Sequence, residues 1–339
     1  MKLIKESIKE SAFFIIAEIG LNHDGSLGNA IRLIEEAKKA GVNAVKFQLH
    51  ISDEETLPDA PKPPYFKLEE RFDYFNRIAF SNLEWKTLKD YAHNLGLYFL
   101  VSPFSHKAVD ILEEIEVDAF KIASGETTNL PLLEYIDTKG KPVLLSTGMS
   151  NWEEIRNAVN SLKQTILVLF QCSSQYPCTP ENVGLNIINE MISKYPNLII
   201  GYSDHTLNNV SSLGALMSGA KVFEKHFTLS KKMYGADAQF SLEPEEMLNY
   251  VQGIEFLSTV MKNNVDKNEI KKYKDMKITF EKSIVAIKDL EKGKIIEESD
   301  LAFKKPGDGI RADFYKKVIG KTVLKKILKN EKILFNNIE

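Results

Sequence analysis

The run Asn197–Tyr202, within Asn197-Leu198-Ile199-Ile200-Gly201-Tyr202-Ser203-Asp204-His205-Thr206, passes from apolar residues into a group of polar side chains. The run Ala220–Glu224, followed by His226, repeats this arrangement. Earlier runs are also short, apolar and rich in Val, Ile and Phe: Phe13–Ala17, Ala44–Gln48, Leu97–Val101, Asp118–Ile122, Pro142–Ser146 and Ile166–Cys172. Such runs are typical of strands buried on both faces, and strands that all end in polar residues predict a barrel with one shared site.

Stretches with helical spacing separate these runs. They are Asn29–Ala40, Glu84–Leu95, Lys107–Ile115, Trp152–Leu162 and Asn208–Ser218, with Glu243–Met261 as the eighth helix. N-cap signals at Ser81 and Asn151 precede two of them. Strict alternation over about 260 residues predicts an α/β fold, a (β/α)₈ TIM barrel. The alternative, an open doubly wound sheet, lacks its Gly-x-Gly-x-x-Gly motif after the first strand.

The composition is that of an ordinary globular chain, with 339 residues, 43% hydrophobic and 27% charged. The apolar run Phe13–Ala17 ends at Glu18 and is too short for a signal or membrane segment. We therefore expect a cytoplasmic protein with no membrane partner. The two cysteines are Cys172 and Cys178, which predicts reduced thiols rather than a disulfide framework, and we interpret Cys172 as a packing residue.

The chain divides into a predicted barrel over residues 1–262, a polar linker over 263–281 and a small domain over 282–339. A domain of that size is marginal alone. Residues 262–339 carry 20 Lys and Arg against 13 Asp and Glu, whereas residues 1–261 carry 24 against 34. The two parts could attract each other, within or between subunits, although a solvated lysine-rich surface explains the pattern equally well. The lysines alternate with acids and no aromatic-basic motif occurs, which argues against nucleic-acid binding.

Lysines and serines at the predicted strand ends indicate an anion site. They are Lys46, Ser102, Lys121, Ser124, Ser146 and Ser203. Lysine supplies a point charge, and serine supplies short hydrogen bonds to phosphate or carboxylate oxygens. A single strand-end lysine is more often a salt-bridged residue. Two within buried runs, Val45-Lys46-Phe47 and Phe120-Lys121-Ile122, favour a site because a buried ammonium must find a partner.

His205 and His226 follow adjacent predicted strands, so their imidazoles could bind one divalent ion. Two imidazoles leave open positions for water and substrate, which suits a Lewis acid, and Zn²⁺, Mn²⁺, Fe²⁺ or Co²⁺ would fit. Structural histidines are the alternative. Glu18 and Glu126 are candidate acids or bases, and Asp237, on the long loop after the last strand, is a weaker one.

Several motifs together resemble the sialic acid synthase family. They are Ala17-Glu18-Ile19-Gly20-Leu21-Asn22-His23-Asp24-Gly25, Val45-Lys46-Phe47-Gln48, Lys121-Ile122-Ala123-Ser124-Gly125-Glu126, Leu145-Ser146-Thr147-Gly148-Met149, Gly201-Tyr202-Ser203-Asp204-His205-Thr206 and Glu224-Lys225-His226-Phe227-Thr228. The tail from Lys282 to Glu339 is similar to that family's antifreeze-protein-like (SAF) domain. The resemblance covers almost the whole chain in matching order.

This resemblance implies a transferase of carbohydrate biosynthesis that condenses phosphoenolpyruvate with N-acetylmannosamine or a related 2,4-diacetamido-trideoxy sugar. The products are a nine-carbon sialic-type acid and phosphate. By analogy, a divalent metal, Mn²⁺ with Mg²⁺ or Co²⁺ as alternatives, is held by His205 and His226. The catalytic residues are Glu18, Glu126 and Asp237, and phosphoenolpyruvate is bound by Lys46, Ser102, Lys121, Ser124, Ser146 and Ser203.

The residues that the resemblance assigns to the sugar are Gln48, Ser174, Tyr176, Lys305 and Arg311. Lys305 precedes Pro306-Gly307 where neuraminate synthases usually have an arginine, and lysine cannot copy a bidentate fork. Glu126-Thr127-Thr128-Asn129-Leu130-Pro131 is similar to legionaminic acid synthases, whereas His50 is typical of neuraminate synthases. The N-acyl sugar, the metal used in the cell and the fate of the product therefore stay open. The resemblance also implies a homodimer in which the tail covers the partner's barrel.

Two other classes of function compete with this interpretation. A Schiff-base aldolase would use Lys121 or Lys46 to attack a carbonyl group. A non-enzymatic protein would use the tail as a carbohydrate- or surface-binding module beside an inert barrel. The synthase should be blocked by chelation and needs no imine, which separates it from both.

Overall fold

The computed structural model describes residues 2–62 and 68–339, with only the backbone for residues 2 and 3. It divides into two compact units, Met1–Lys262 and Asn263–Glu339. Within the described residues, the strands of the first unit close into an eight-stranded barrel in sequence order, and all neighbours are parallel. They are β1 (Phe14–Gly20), β2 (Ala44–Leu49), β3 (Tyr98–Pro103), β4 (Ala119–Ile122), β5 (Val143–Ser146), β6 (Ile166–Cys172), β7 (Ile199–Asp204) and β8 (Val222–His226).

Helices follow the strands, as the (β/α)₈ prediction requires, and the prediction of a TIM barrel is confirmed. The helices of this unit are α1 (Lys2–Ser11), α2 (Leu27–Ala40), α3 (Ser52–Glu55), α4 (Arg71–Ile78), α5 (Asn82–Asn94), α6 (His106–Glu114), α7 (Leu130–Asp137), α8 (Trp152–Ser161), α9 (Leu185–Lys194), α10 (Val210–Met217) and α11 (Pro244–Lys262). Ser81 and Asn151 form capping boxes at the starts of α5 and α8, as their positions predicted. No helix among the described residues is long and apolar enough to cross a membrane.

The interior of the barrel changes from apolar to polar along each strand. Alternate residues of a strand face the same side, so the inward positions can be followed two by two. On β1 they are Phe14, Ile16 and Glu18, and on β6 they are Val168, Phe170 and Cys172. The apolar members form one buried cluster, to which Ile4 of α1 also belongs. The polar members therefore gather at the carboxyl ends of the strands, where barrel enzymes place their active sites.

The strands β7 and β8 each extend two residues beyond the predicted runs, because the polar residues that follow the apolar ones still pair in register with the neighbouring strand. Ser203 pairs with Glu224, and Asp204 pairs with Lys225. The latter two face outward and form a fully buried ion pair, with Lys225 Nζ 3.0 Å from Asp204 Oδ2. This pair attaches the loop after β7 to the outer wall, since Lys225 also donates to the carbonyl oxygens of Thr206 and Asn208.

The second unit contains α12 (Lys274–Phe280), the antiparallel strands β9 (Ser283–Ala286) and β10 (Leu301–Lys304), and α13 (Tyr315–Val318). Its own core consists of Ile284, Ala286, Leu290, Ile296, Leu301, Ile310, Val318, Val323, Ile327, Ile333 and Ile338. The predicted linker over 263–281 includes α12, whose described residues are mostly exposed.

Candidate active site

A cavity of about 330 Å³ opens at the carboxyl ends of the barrel strands. Most of the predicted site residues line it: Glu18, Lys46, Gln48, Ser102, Lys121, Ser124, Ser146, Ser174, Tyr176, Ser203, His205, His226 and Asp237. They come from all eight strands or from the loops that follow them. A cavity of this size is at the lower end of the range for small-molecule sites.

Glu224 is the centre of the charged network on the floor of this cavity. Its Oε1 lies 3.4 Å from Lys121 Nζ and 3.6 Å from Lys46 Nζ, and it accepts a 3.2 Å hydrogen bond from Ser203 Oγ. A second carboxylate, Glu18, lies with its Oε1 3.0 Å from Lys46 Nζ. The structure therefore brings together the two buried lysines predicted from the sequence, around one carboxylate.

Burial and neighbouring charges set the protonation of these groups. Burial lowers the pKa of Lys46, but Glu18 and then Glu224 outweigh it, so this pKa is raised above its ordinary value. For Lys121 burial prevails over the attraction of Glu224, and the pKa is lowered. Burial opposes ionisation of Glu224 too, yet Lys121 and Lys46 lower its pKa to about 2. The carboxylate is thus ionised at neutral pH.

The predicted serines supply hydroxyl groups around the ammonium groups. Lys121 Nζ donates to Ser146 Oγ over 2.6 Å, and Lys46 Nζ donates to Ser102 Oγ over 3.4 Å. Ser124 Oγ accepts from the backbone N–H of Gly148 over 3.0 Å. A Cβ at Gly148 would lie 2.5 Å from Ser174 Oγ and 2.9 Å from Ser124 Oγ, so a larger residue would have to displace these hydroxyl groups.

A bulge in the pairing of β1 with β2 follows Glu18, between Glu18 and Gly20. Bulges of this kind are common beside active sites, where they re-aim a side chain. Glu18 Oε1 accepts from Gln48 Nε2 over 2.7 Å, while its buried Oε2 has no hydrogen-bond partner among the residues that the structure describes. Gly20 has a φ of +54°, and a Cβ there would lie 2.9 Å from Asp237 Oδ2.

His205 and His226 lie side by side, with ring centroids 5.7 Å apart. His205 Nδ1 lies 2.6 Å from the carbonyl oxygen of Ser173, which fixes its tautomer with the hydrogen on Nδ1, and its Nε2 lies 3.0 Å from Tyr176 Oη. His226 Nδ1 is buried, has no hydrogen-bond partner within the described part of the chain and lies 3.9 Å from Asp237 Oδ2. Burial lowers the pKa of His226, which favours the neutral form that binds metals.

These features fit a metal ion held by two imidazoles. His226 Nδ1 is available as a donor atom, and the ring of His205 is oriented by a backbone carbonyl group, as metal-binding histidines usually are. Burial opposes protonation of His205, but Cys172 outweighs it and raises the pKa of His205, so an ion bound there would have to displace a proton. Among the described residues, no group of three or more His, Cys, Asp and Glu side chains is placed to hold a metal ion. Any ion here would keep positions open for substrate and water.

Three predicted site residues lie outside the lining of this cavity. Glu126 is half-buried near its edge and accepts from Asn129 Nδ2 over 2.8 Å. Burial raises the pKa of Glu126, and the charge of Glu55 adds to this effect. Lys305 and Arg311 belong to the second unit, where Lys305 Nζ lies 5.1 Å from the centroid of the Phe280 ring and Arg311 pairs with Asp313.

The cavity also contains residues that sequence reasoning did not assign to it. Cys172 lines it, with Sγ 3.8 Å from His205 Nδ1, rather than serving only in packing. Its position two residues after inward-facing Phe170 is the signal that could have identified it. Arg71, Phe75 and Phe104 also line the cavity. No strand pattern indicates the first two, because they come from α4, in the long segment between β2 and α5.

A barrel that gathers carboxylates, ammonium groups and two imidazoles in one cavity at its carboxyl end has the architecture of a TIM-barrel enzyme. A model of the NeuB family matches residues 33–266, and one of the SAF domain matches residues 281–339. An N,N'-diacetyllegionaminic acid synthase of Campylobacter jejuni is 37% identical over 329 residues, covering 94% of this chain and 98% of that protein. The human N-acetylneuraminate-9-phosphate synthase is 35% identical over 254 residues, covering 73% and 71%.

A solved structure gives the same result. The N-acetylneuraminic acid (sialic acid) synthetase of Leptospira borgpetersenii, in complex with citrate, is 33% identical and matches with a TM-score of 0.68 over 78% of this chain and 90% of that one. The chain therefore belongs to the NeuB family, with an SAF domain at its carboxyl end, and is an enzyme of the sialic acid synthase type. The predicted family is confirmed, and neither a Schiff-base aldolase nor an inert barrel is favoured.

Proposed function

We propose that this enzyme condenses phosphoenolpyruvate with N-acetylmannosamine or a related 2,4-diacetamido-trideoxy sugar. The products are a nine-carbon 2-keto acid of the sialic type and inorganic phosphate. The observation that carries the proposal is the pair of buried ammonium groups, Lys46 and Lys121, that share Glu224 and are surrounded by serine hydroxyls.

An anionic substrate with a phosphate and a carboxylate group suits this network. Two buried cations facing two buried carboxylates leave the floor of the cavity close to neutral without substrate. Incoming oxygen atoms would take over hydrogen bonds that Lys121 and Lys46 now donate to Ser146 and Ser102. Charge-assisted hydrogen bonds of this kind are about twice as strong as neutral ones.

In the proposed reaction, C3 of phosphoenolpyruvate forms a bond to the aldehyde carbon of the open-chain sugar, whose oxygen takes a proton. Water adds to C2, which has lost its share of the double bond, and gives up a proton. The C2–O bond to phosphate then breaks, its electron pair leaves with inorganic phosphate, and the hydroxyl group at C2 gives up its proton to become the ketone. Glu18, whose Oε2 has no hydrogen-bond partner among the described residues, and Asp237 are the cavity carboxylates available to accept the proton from water and to return one to the aldehyde oxygen.

His205 and His226 are the residues that would hold a divalent ion, Mn²⁺ in our proposal, with Mg²⁺ or Co²⁺ as alternatives. The chemistry such an ion supplies when bound is polarisation of the aldehyde oxygen. Tyr176 stacks on His205 with ring centroids 4.1 Å apart, so it keeps this imidazole in place and presents its hydroxyl group to the cavity.

We assign the sugar to Gln48, Ser174 and Tyr176 of the cavity. Glu126, which is half-buried and whose pKa is raised by burial, keeps its proposed role as a catalytic acid or base. Lys305 and Arg311 would reach the sugar from the partner's tail in a domain-swapped homodimer. The names of the relatives support a family of acceptors rather than one, because they include legionaminic acid and N-acetylneuraminate-9-phosphate synthases.

The test is to identify the product. The enzyme is incubated with Mn²⁺, each sugar and either phosphoenolpyruvate or pyruvate, and the 2-keto acid is detected by mass spectrometry. We expect a nine-carbon acid from phosphoenolpyruvate and none from pyruvate. Formation of product from pyruvate, together with borohydride trapping of an imine between pyruvate and a lysine of the enzyme, would instead identify an aldolase.

A further inference from the structure

A buried chain of hydrogen bonds runs from the segment after β2 to the carboxylate Glu18. Glu55, the last residue of α3, has its Oε1 2.6 Å from His50 Nδ1, and His50 Nε2 lies 3.1 Å from Gln48 Oε1. Gln48 Nε2 then donates to Glu18 Oε1 over 2.7 Å. Side chains of both Glu55 and His50 are 5 to 6% exposed.

The imidazole of His50 is held between two aromatic rings. The Phe75 ring is parallel to within 9° at a centroid distance of 3.8 Å, and the Phe104 ring is within 18° at 4.1 Å. Both phenylalanines also line the active-site cavity. Stacking fixes the plane of His50, and the hydrogen bonds to Glu55 and Gln48 fix its rotation within that plane.

The direction of the hydrogen bonds follows from Glu18, the carboxylate at which this series of hydrogen bonds ends. Gln48 must present its N–H group to Glu18, so its carbonyl oxygen faces His50 Nε2, which must then carry a hydrogen. One further proton lies between His50 Nδ1 and Glu55 Oε1. If the amide of Gln48 were reversed, its carbonyl oxygen would face Glu18 Oε1, and two acceptors would be in contact.

We propose that His50 and Glu55 are positioning residues of this enzyme, which act by fixing the amide of Gln48 in the orientation that donates to Glu18. Glu18 Oε1 is thereby occupied by Gln48 and Lys46, and Glu18 Oε2 is the oxygen left for substrate. The role of Glu18 rests on the proposed function, whereas the hydrogen-bond chain does not.

Substitutions at both His50 and Glu55 can separate the positioning of Gln48 from a role in packing alone. Glu55→Gln supplies an amide N–H that can donate to His50 Nδ1, which leaves His50 Nε2–H to donate to Gln48, whereas Glu55→Leu has similar volume and no hydrogen-bonding group. His50→Phe keeps the aromatic stack and loses both nitrogens. Glu54→Gln, at the adjacent exposed residue, which pairs with the exposed Lys107 across 3.5 Å, is the matched control.

The experiment compares kcat and KM for phosphate release with these variants, together with their thermal stability. We expect Glu55→Leu and His50→Phe to lower kcat about 10- to 100-fold, the range usual for residues that orient an active-site group, with little change in KM for phosphoenolpyruvate. Glu55→Gln should restore kcat to within about threefold of the wild type. Equal losses in Glu55→Gln and Glu55→Leu, or losses that follow melting temperature alone, would overturn the proposal.

A structural readout separates this proposal from the proposed function. If the wild-type enzyme releases no phosphate, the proposed function fails. The nitrogen NMR spectrum of the folded protein then tests the hydrogen-bond chain by itself, because it shows which nitrogens of His50 carry a hydrogen. We expect a hydrogen on His50 Nε2 in the wild type and in Glu55→Gln. An unprotonated Nε2 in either protein would contradict the orientation that we assign to Gln48.

Discussion

Replacing Lys121 with Met tests the anion site most sharply. The change keeps the length of the side chain but removes an ammonium group that donates to Ser146 over 2.6 Å and lies 3.4 Å from Glu224. Glu224 keeps Lys46 as a partner, so the barrel should fold. The lost interaction with substrate is a charge-assisted hydrogen bond, worth about 1.5 to 3 kcal/mol.

At about 1.4 kcal/mol per factor of ten, this loss corresponds to a decrease of roughly 10- to 150-fold in kcat/KM for phosphoenolpyruvate. The assay is steady-state phosphate release with phosphoenolpyruvate varied at saturating sugar, and then with sugar varied. Lys107→Met, at an exposed lysine, is the control. A change of less than threefold in kcat/KM for phosphoenolpyruvate, or an effect confined to the sugar, would refute the assignment of Lys121 to this substrate.

Three further predictions concern backbone, stability and pH. Gly20→Ala should lower kcat because the added Cβ would lie 2.9 Å from Asp237 Oδ2. Gly140 also has a positive φ, +69°, but no atom of the described residues lies within 4 Å of an added Cβ. Gly140→Ala should therefore only lower the free energy of unfolding in urea, by about 1 kcal/mol. Lys225→Met should lower the free energy of unfolding by about 3 to 5 kcal/mol, since it leaves Asp204 buried and unpaired; unchanged stability would contradict the role of that pair. Because the folded-state pKa of Glu224 is lowered to about 2, its contribution is present above about pH 4.5 and is lost as the pH falls toward 2. Glu224→Gln should therefore show a shallower loss of stability below pH 5, and an unchanged slope would count against the network.

The barrel could be predicted because each strand is a short apolar run, and such runs do not depend on distant contacts. The residues at which the strands end were harder to predict, and β7 and β8 end two residues later than the apolar runs indicate. Ser203, Asp204 and Lys225 lie beyond the predicted runs and are polar, but they still pair in register, because their side chains find polar partners within the fold. Following alternate positions along β6 would also have predicted that Cys172 faces the cavity rather than serving only in packing.

The part of the site that comes from between the strands could not be predicted in this way. Arg71 and Phe75 enter the cavity from α4, whose position depends on tertiary contacts rather than on any period in the sequence. The link from Glu55 to His50 joins residues five apart in the chain, but their contact depends on the fold of α3 and on the stack with Phe75 and Phe104. Metal binding by His205 and His226 is predicted from residue type and strand order, and it stays a prediction.

The most direct measurement is release of phosphate from phosphoenolpyruvate with Mn²⁺. N-acetylmannosamine and 2,4-diacetamido-2,4,6-trideoxymannose are compared as acceptors, before and after EDTA. We expect phosphate release that requires one of these sugars, stops with EDTA and returns when metal is restored. Absence of release with either sugar, from folded protein with metal present, would contradict the proposed condensation.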